Sequence, residues 1–325
     1  MNHSMTVFTV KERFGFDVDL RVLGYLDETH PCIPKKDDNY LFRREFLRDI
    51  LAFLAQPCSD ALYISGPTGS GKTSGVTEVA ARLNWPAQQL CAHGRMELSD
   101  LVGSIQLVAD RLGGTKTTFV HGPLARAMKE GHILLINEVD LADPAELAGL
   151  NDVLEGRPLV IPQNEGEVIQ PHEMFRVIVT GNSTGSGDSS GLYQGIQMQN
   201  LAALDRYRFM RVGYASEQEE SSILDKAIPS LPDTIRSSMI KVANEIRRLF
   251  LGEQGHAGTL SITMSTRTLV RWARLTQTFK GAPNAIGYAL DQALTFRASY
   301  EEREAILRIS KDVFGSSWRE EEQAA

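Results

Sequence analysis

Eight consecutive residues, Gly66-Pro67-Thr68-Gly69-Ser70-Gly71-Lys72-Thr73, combine the properties that hold a polyphosphate. Glycines let the backbone wrap closely around oxygen atoms, successive N–H groups point inward, and a following helix adds its positive N-terminus. Within that frame Lys72 neutralises the β- and γ-phosphates of a nucleotide, and the Thr73 hydroxyl ligates Mg²⁺. The spacing carries this meaning only between a strand and a helix. Both are present in the pattern: Ala61-Leu62-Tyr63-Ile64-Ser65 is a short apolar run, and Val76, Val79, Ala80 and Leu83 recur on one helical face. ATP with Mg²⁺ is the expected ligand.

Cleavage of the nucleotide needs a second set of groups. The apolar run from His132 to Ile136 ends in Asn137-Glu138. A carboxylate at position 138 orients and deprotonates an attacking water. Asn137 falls where most ATPases carry Asp for Mg²⁺. An amide oxygen still accepts a hydrogen bond from a metal-bound water but brings no charge, so weaker Mg²⁺ retention with preserved activity is expected. Asp140, just beyond the strand, is a candidate to compensate. The run 175–180 ends in Gly181-Asn182, and a polar tip there, beside the strand of Glu138, positions the water.

These groups require a scaffold of neighbouring strand ends. Short β-branched or apolar runs at Ala61–Ser65, 88–92, Ile133–Asn137, 175–180 and 209–214 alternate with helical patterns. That alternation predicts an α/β fold with a parallel five-stranded sheet and helices on both faces. Asp143-Pro144-Ala145-Glu146 reads as a capped helix start, with Leu147, Leu150 and Leu154 on its buried face. A hairpin pattern follows at Leu159–Ile161 and Glu167–Ile169, around Asn164-Glu165-Gly166. Beyond Tyr214 only helical periodicity remains, as in Ile235, Met239, Val242, Ile246 and Leu249, which predicts a small all-helical lid domain. The expected boundaries are an extended arm over 1–45 leading into a helix at 43–55, a nucleotide-binding domain over 46–214, a lid over 215–315 and an acidic tail over 316–325.

Bulk properties narrow the class. The 325 residues are 42% apolar and carry a formal charge of −7, which is no nucleic-acid footprint. No apolar stretch approaches the roughly 20 residues that span a bilayer, and the N-terminus lacks a signal-peptide pattern. Cys32, Cys58 and Cys91 are far apart, as expected of free thiols in a cytoplasmic protein. Cys91 and His93 alone do not make a metal site.

In this order, the parts resemble the MoxR branch of the AAA+ ATPases, and within it the ATPase subunits of aerobic cobaltochelatases. The more specific points are Phe14-Gly15-Phe16-Asp17-Val18-Asp19, Ala80-Ala81-Arg82-Leu83-Asn84-Trp85-Pro86 and Asp100-Leu101-Val102-Gly103. Pro171-His172, Phe175-Arg176 and the loop Gly187-Asp188-Ser189-Ser190-Gly191-Leu192-Tyr193 with Gly195 add to these. The likeness covers 14–215 well and the lid more loosely. It implies a hexameric ring in which Arg206, or else Arg208, reaches the neighbouring subunit's γ-phosphate; an Asp205–Arg208 ion pair is the plain alternative. Arg267, or Arg271 one turn later, would sense the γ-phosphate from the lid. An insert at 102–119 with a Gly113-Gly114 turn is implied, with the following hairpin projecting toward the same side. The glycine loop 187–195 has no lysine and would face the pore or a partner. A partner with a von Willebrand factor A domain carrying a metal-ion adhesion site is implied as well. In the chelatases ATP hydrolysis helps insert cobalt into a corrin ring, and the chelating chemistry lies on other subunits. A remodelling ATPase is therefore the leading expectation. A nucleic-acid-stimulated motor would need more basic loop residues than Arg111 and Lys116, and a non-hydrolysing nucleotide switch is the remaining alternative.

Overall fold

The computed structural model describes residues 4–109, 114–187, 195–252 and 258–318. Its strands are β1 (Met5–Thr9), β2 (Arg21–Tyr25), β3 (Ala61–Ser65), β4 (Ala87–Cys91), β5 (Gly103–Ala109) and β6 (Thr115–His121). They continue with β7 (Ile133–Asn137), β8 (Leu159–Ile161), β9 (Glu167–Ile169), β10 (Arg176–Gly181) and β11 (Tyr207–Arg211). The chain forms two compact units. One takes in the chain up to Asp37, Arg44–Gly66 and Lys72–Val212; the other takes in Asp38–Arg43, Pro67–Gly71 and the chain from Gly213 onward.

In the first unit five strands form one parallel sheet in the order β11-β3-β10-β7-β4. Every residue of β3, β7 and β10 is buried, which is why these strands read as unbroken apolar runs without alternation. The register sets Gly181 opposite Ser65 and Val179 opposite Ile136, so the carboxyl ends of β3, β10 and β7 stand side by side. Open parallel sheets bind ligands at such ends. Leu124, Met128, Leu134, Ile136, Val177 and Val179 build the core on one face. The edge strand β11 starts two residues earlier than its apolar pattern suggests, because pairing of Tyr207 with Ala61 sets its start.

The segment expected to be an extended arm is folded instead. β1 and β2 pair antiparallel, joined through the helix Val10–Phe14, whose Thr9 and Glu12 form a capping box and which ends at Gly15 with φ 76°. The Tyr25 hydroxyl and Trp85 indole N–H both donate to the Gly131 carbonyl, at 2.9 and 3.0 Å, and the Asn84 amide donates to the Tyr25 carbonyl at 3.0 Å. A lone two-stranded ribbon is marginal in water, so these tertiary contacts hold it. Local pattern, dominated by Pro31, Pro34 and the charged run after them, does not reveal such contacts.

Two hairpins complete this unit. β5 and β6 pair from Gly103 with His121 to Ala109 with Thr115 and form the region read as an insert; Arg111 and Gly113 lie outside the described residues. β8 and β9 pair as the sequence predicts, around Glu165 and Gly166 at φ 54° and 74°.

In the second unit the helices Glu217–Ala227, Asp233–Leu251, Thr266–Thr278, Ala285–Ala293 and Tyr300–Phe314 surround a core of Met239, Val242, Ile246, Leu269, Trp272, Leu290 and Ile306. No strand occurs among its described residues. No helix among the described residues is long and apolar enough to cross a membrane. Residues 188–194 of the glycine loop and the end of the acidic tail from 319 lie outside the described residues.

Candidate nucleotide-binding and hydrolysis site

The phosphate loop leaves β3 at Ser65 and turns through Gly69 and Gly71, at φ 69° and 92°, conformations that glycine adopts without strain. The helix Lys72–Arg82 then begins, so Lys72 and Thr73 stand on its first turn, where backbone N–H groups lack intrahelical acceptors. The Lys72 ammonium, almost fully buried, donates to the Gly66 carbonyl at 2.6 Å and to Asn182 Oδ1 at 3.1 Å. Both acceptors are neutral oxygens.

Thr73 and Asn137 meet directly: the hydroxyl donates to Asn137 Oδ1 at 2.6 Å. Asn137 Nδ2 donates to the Leu90 carbonyl at 3.2 Å. A carbonyl only accepts, so the amide nitrogen must face Leu90 and the amide oxygen must face Thr73. Thr180, on the neighbouring strand, donates to Asn137 Oδ1 at 3.4 Å and accepts the Glu138 N–H at 3.3 Å. Glu138 is exposed and takes the left-handed conformation, φ 54° and ψ 42°, which is strained for a residue with a side chain. Burial, reinforced by the Glu138 charge, pushes the Cys91 thiol pKa up.

Asp140 has a different job from the one its position suggests. Its Oδ2 accepts the N–H groups of Asn182 and Ser183 at 2.7 and 2.9 Å, and the residue is fully buried. One oxygen of the carboxylate is thus committed to the tip of β10. Its Oδ1 is buried without a hydrogen-bond partner among the described residues.

Lys72 with Asn182 and Thr73 with Asn137 thus form two hydrogen-bonded pairs at adjoining strand ends, with Glu138 next in the chain. Thr73 Oγ1 and Asn137 Oδ1 are hard neutral oxygens, a donor set that fits a Mg²⁺ ion retaining several waters. Elsewhere, His30, Glu130 and His132 bring potential ligand atoms within 4.8 Å of one another. However, His30 Nδ1 accepts the Cys32 N–H at 3.1 Å, so in the neutral ring the other nitrogen keeps its proton and offers no lone pair.

Arg206 and Arg208 are held by partners outside this group. Arg206 precedes β11 and its guanidinium pairs with Glu155, while Glu155 also pairs with Arg157. Arg208 donates to the carbonyls of Gln56 and Pro57 at 3.1 and 3.2 Å and pairs with Asp60 rather than with Asp205. In the second unit Arg267 and Arg271 are exposed on the helix Thr266–Thr278, which Ser265 caps. Thr180, Asp140 and Glu155 acquire their roles from partners 42 to 51 residues away, beyond the reach of local pattern. A hydroxyl just before Gly181-Asn182 was the one available hint for Thr180.

Comparison with known proteins shows the family of the chain. Residues 61–195 match the family model of the AAA domain (dynein-related subfamily), and residues 220–313 match that of the CbbQ/NirQ/NorQ C-terminal region. The chain is 34% identical over 274 residues to the aerobic cobaltochelatase subunit CobS of a Sinorhizobium species, covering 82% of this chain and 80% of that protein. It is 29% identical over 188 residues to an uncharacterized protein of Staphylococcus haemolyticus, covering 58% of this chain and 68% of that one. Among solved structures, a RuvB variant of Thermotoga maritima superposes with a TM-score of 0.51 at 13% identity, over 86% of this chain and 73% of that one, a likeness of fold alone.

Proposed function

The chain belongs to the MoxR branch of the AAA+ ATPases, and from that premise we propose that it hydrolyses ATP with Mg²⁺ as a ring-shaped homo-hexamer and couples the cycle to remodelling a partner protein. The single observation that carries the reading is the Lys72–Thr73–Asn137–Asn182 group beside Glu138. Residues 66–73 cradle the phosphates with backbone N–H groups, and Lys72 exchanges its carbonyl and amide acceptors for phosphate oxygens. Thr73 and Asn137 hold the metal side, which when loaded with Mg²⁺ neutralises charge on the β- and γ-phosphates. Glu138 removes the proton from the attacking water, and the Asn182 side chain fixes where that water stands. Asp140 sets the strand tip that carries Asn182.

Completion of the site by a neighbour is the reason for a ring. Arg206 leaves Glu155 to stabilise transition-state charge across the subunit boundary, and Arg267 senses the γ-phosphate from the helical unit. Similarity to a cobaltochelatase subunit supports one specific client: a chelatase complex with a von Willebrand factor A partner, in which hydrolysis assists cobalt insertion into a corrin ring. Three free cysteines accord with the cytoplasm. Phosphate release by wild type and Glu138→Gln tests the enzyme reading: release should fall by at least 100-fold, and equal rates remove it. Mass photometry with ATP should show six-subunit particles; a monomer at saturating nucleotide removes the ring.

A further inference from the structure

Thr68 and Gly69 lie in the second unit, against residues far away in the sequence. The Tyr214 hydroxyl donates to the Thr68 carbonyl at 3.4 Å and stands 3.2 Å from Thr263 Oγ1, which is placed to donate to it in turn. Ser265 occupies the space a side chain at Gly69 would need: a Cβ there would come 2.4 Å from Ser265 Cβ and 2.6 Å from its Oγ. Ser265 is itself fixed as the cap of the helix Thr266–Thr278, its Oγ accepting the Thr268 N–H at 3.1 Å.

Behind this segment stands a buried ion pair. Arg247 donates twice to Glu220, at 2.8 and 2.7 Å, with 5% and 0% of the two side chains exposed. Arg247 Nε donates to the Met264 carbonyl at 2.7 Å, and Thr266 Oγ1 donates to Glu220 Oε1 at 2.8 Å. The guanidinium also lies 4.5 Å from the centre of the Tyr214 ring. A buried pair is a weak source of stability, because desolvation offsets its Coulomb energy, but a fully bonded one fixes the geometry of what it touches. Here it touches both sides of Ser265 and the face of Tyr214.

We propose that Glu220 and Arg247 are positioning residues for the phosphate loop, acting through Tyr214 and Ser265. In a trans peptide the carbonyl of one residue and the N–H of the next point in opposite directions. Holding the Thr68 carbonyl on Tyr214 therefore turns the Gly69 N–H the other way, presenting it as a phosphate donor before the nucleotide arrives. Ser265 keeps Gly69 in its left-handed conformation. The inference rests on the reading of 66–73 as an ATP site.

Calorimetric titration of the full chain with ATP and Mg²⁺ tests it, with circular dichroism confirming the fold of each variant. Tyr214→Phe should weaken binding about fivefold, the size expected for one neutral hydrogen bond. Glu220→Gln should weaken it similarly, and the double variant little more than either alone, since both act through one contact. Gly69→Ala should lose at least tenfold, since its Cβ would meet Ser265 and a φ of 69° strains any residue with a side chain. Folded Tyr214→Phe or Glu220→Gln that binds as wild type overturns the positioning role. Wild type that does not bind ATP overturns the nucleotide-site reading itself, and the inference with it.

Discussion

At the scale of single residues, the metal side of the site is governed by an amide held in one orientation. Asn137 donates to the Leu90 carbonyl and accepts from Thr73. Asn137→Asp would set a carboxylate oxygen where a donor now lies 3.2 Å from that carbonyl. The charge gained toward Mg²⁺ is thus offset by a buried acceptor without its donor, worth about 1–3 kcal/mol. Chemical denaturation should show Asn137→Asp less stable than wild type by that order; equal stability would mean the Leu90 contact is idle. Asp140→Asn should lower turnover, because a neutral amide oxygen accepts the Asn182 and Ser183 N–H groups more weakly than the carboxylate does, while the Mg²⁺ concentration for half-maximal activity stays put. A shift in that concentration would return Asp140 to the metal. The strand and helix that flank 66–73 were legible because the spacing of the loop has meaning only between them. The job of Asp140 was not, because it follows from a strand 42 residues away.

At the scale of elements, the two hairpins are tied by one carboxylate. Glu167 of β9 accepts from His121 of β6, from Lys129 at 3.1 Å and from Asn164 at 2.6 Å. The His121 hydrogen bond, followed by those of Lys129 and Asn164, holds the Glu167 carboxyl at about 2 against an ordinary 4.5. A depressed folded-state value stabilises the fold above the unfolded value and loses that contribution as pH falls through the folded one. Wild type should therefore exceed Glu167→Gln in stability above about pH 4.5, with the difference closing between there and about pH 2. Urea unfolding across that range checks it, and a gap independent of pH would contradict it. The buried strands β3, β7 and β10 were readable as apolar runs. β1 and β2 were not, since their pairing depends on Tyr25, Asn84 and Trp85 docking together; nor was the start of β11, which Ala61 sets by register.

At the scale of the whole molecule, each chain of the proposed ring is an incomplete enzyme. Arg206 is paired with Glu155 within its own chain, so its transfer to a neighbour's nucleotide must break that pair. Arg206→Ala should bind ATP nearly as wild type while hydrolysis collapses. Mixing it with Glu138→Gln should restore part of the rate, because some boundaries then combine an intact glutamate with an intact arginine. No recovery at any mixing ratio would argue that Arg206 acts only within its own chain. Nothing in the local pattern near Arg206 reports the Glu155 pairing, which arises from a helix end 51 residues earlier.

In the proposed site, 66–73 with Lys72 hold the triphosphate while Glu138 activates the attacking water. Titration calorimetry of wild type and Lys72→Ala with ATP and Mg²⁺ addresses it most directly. Saturable binding, one nucleotide per competent site, that Lys72→Ala abolishes is the predicted result; no heat from wild type at saturating ATP, or equal binding by both proteins, would contradict it.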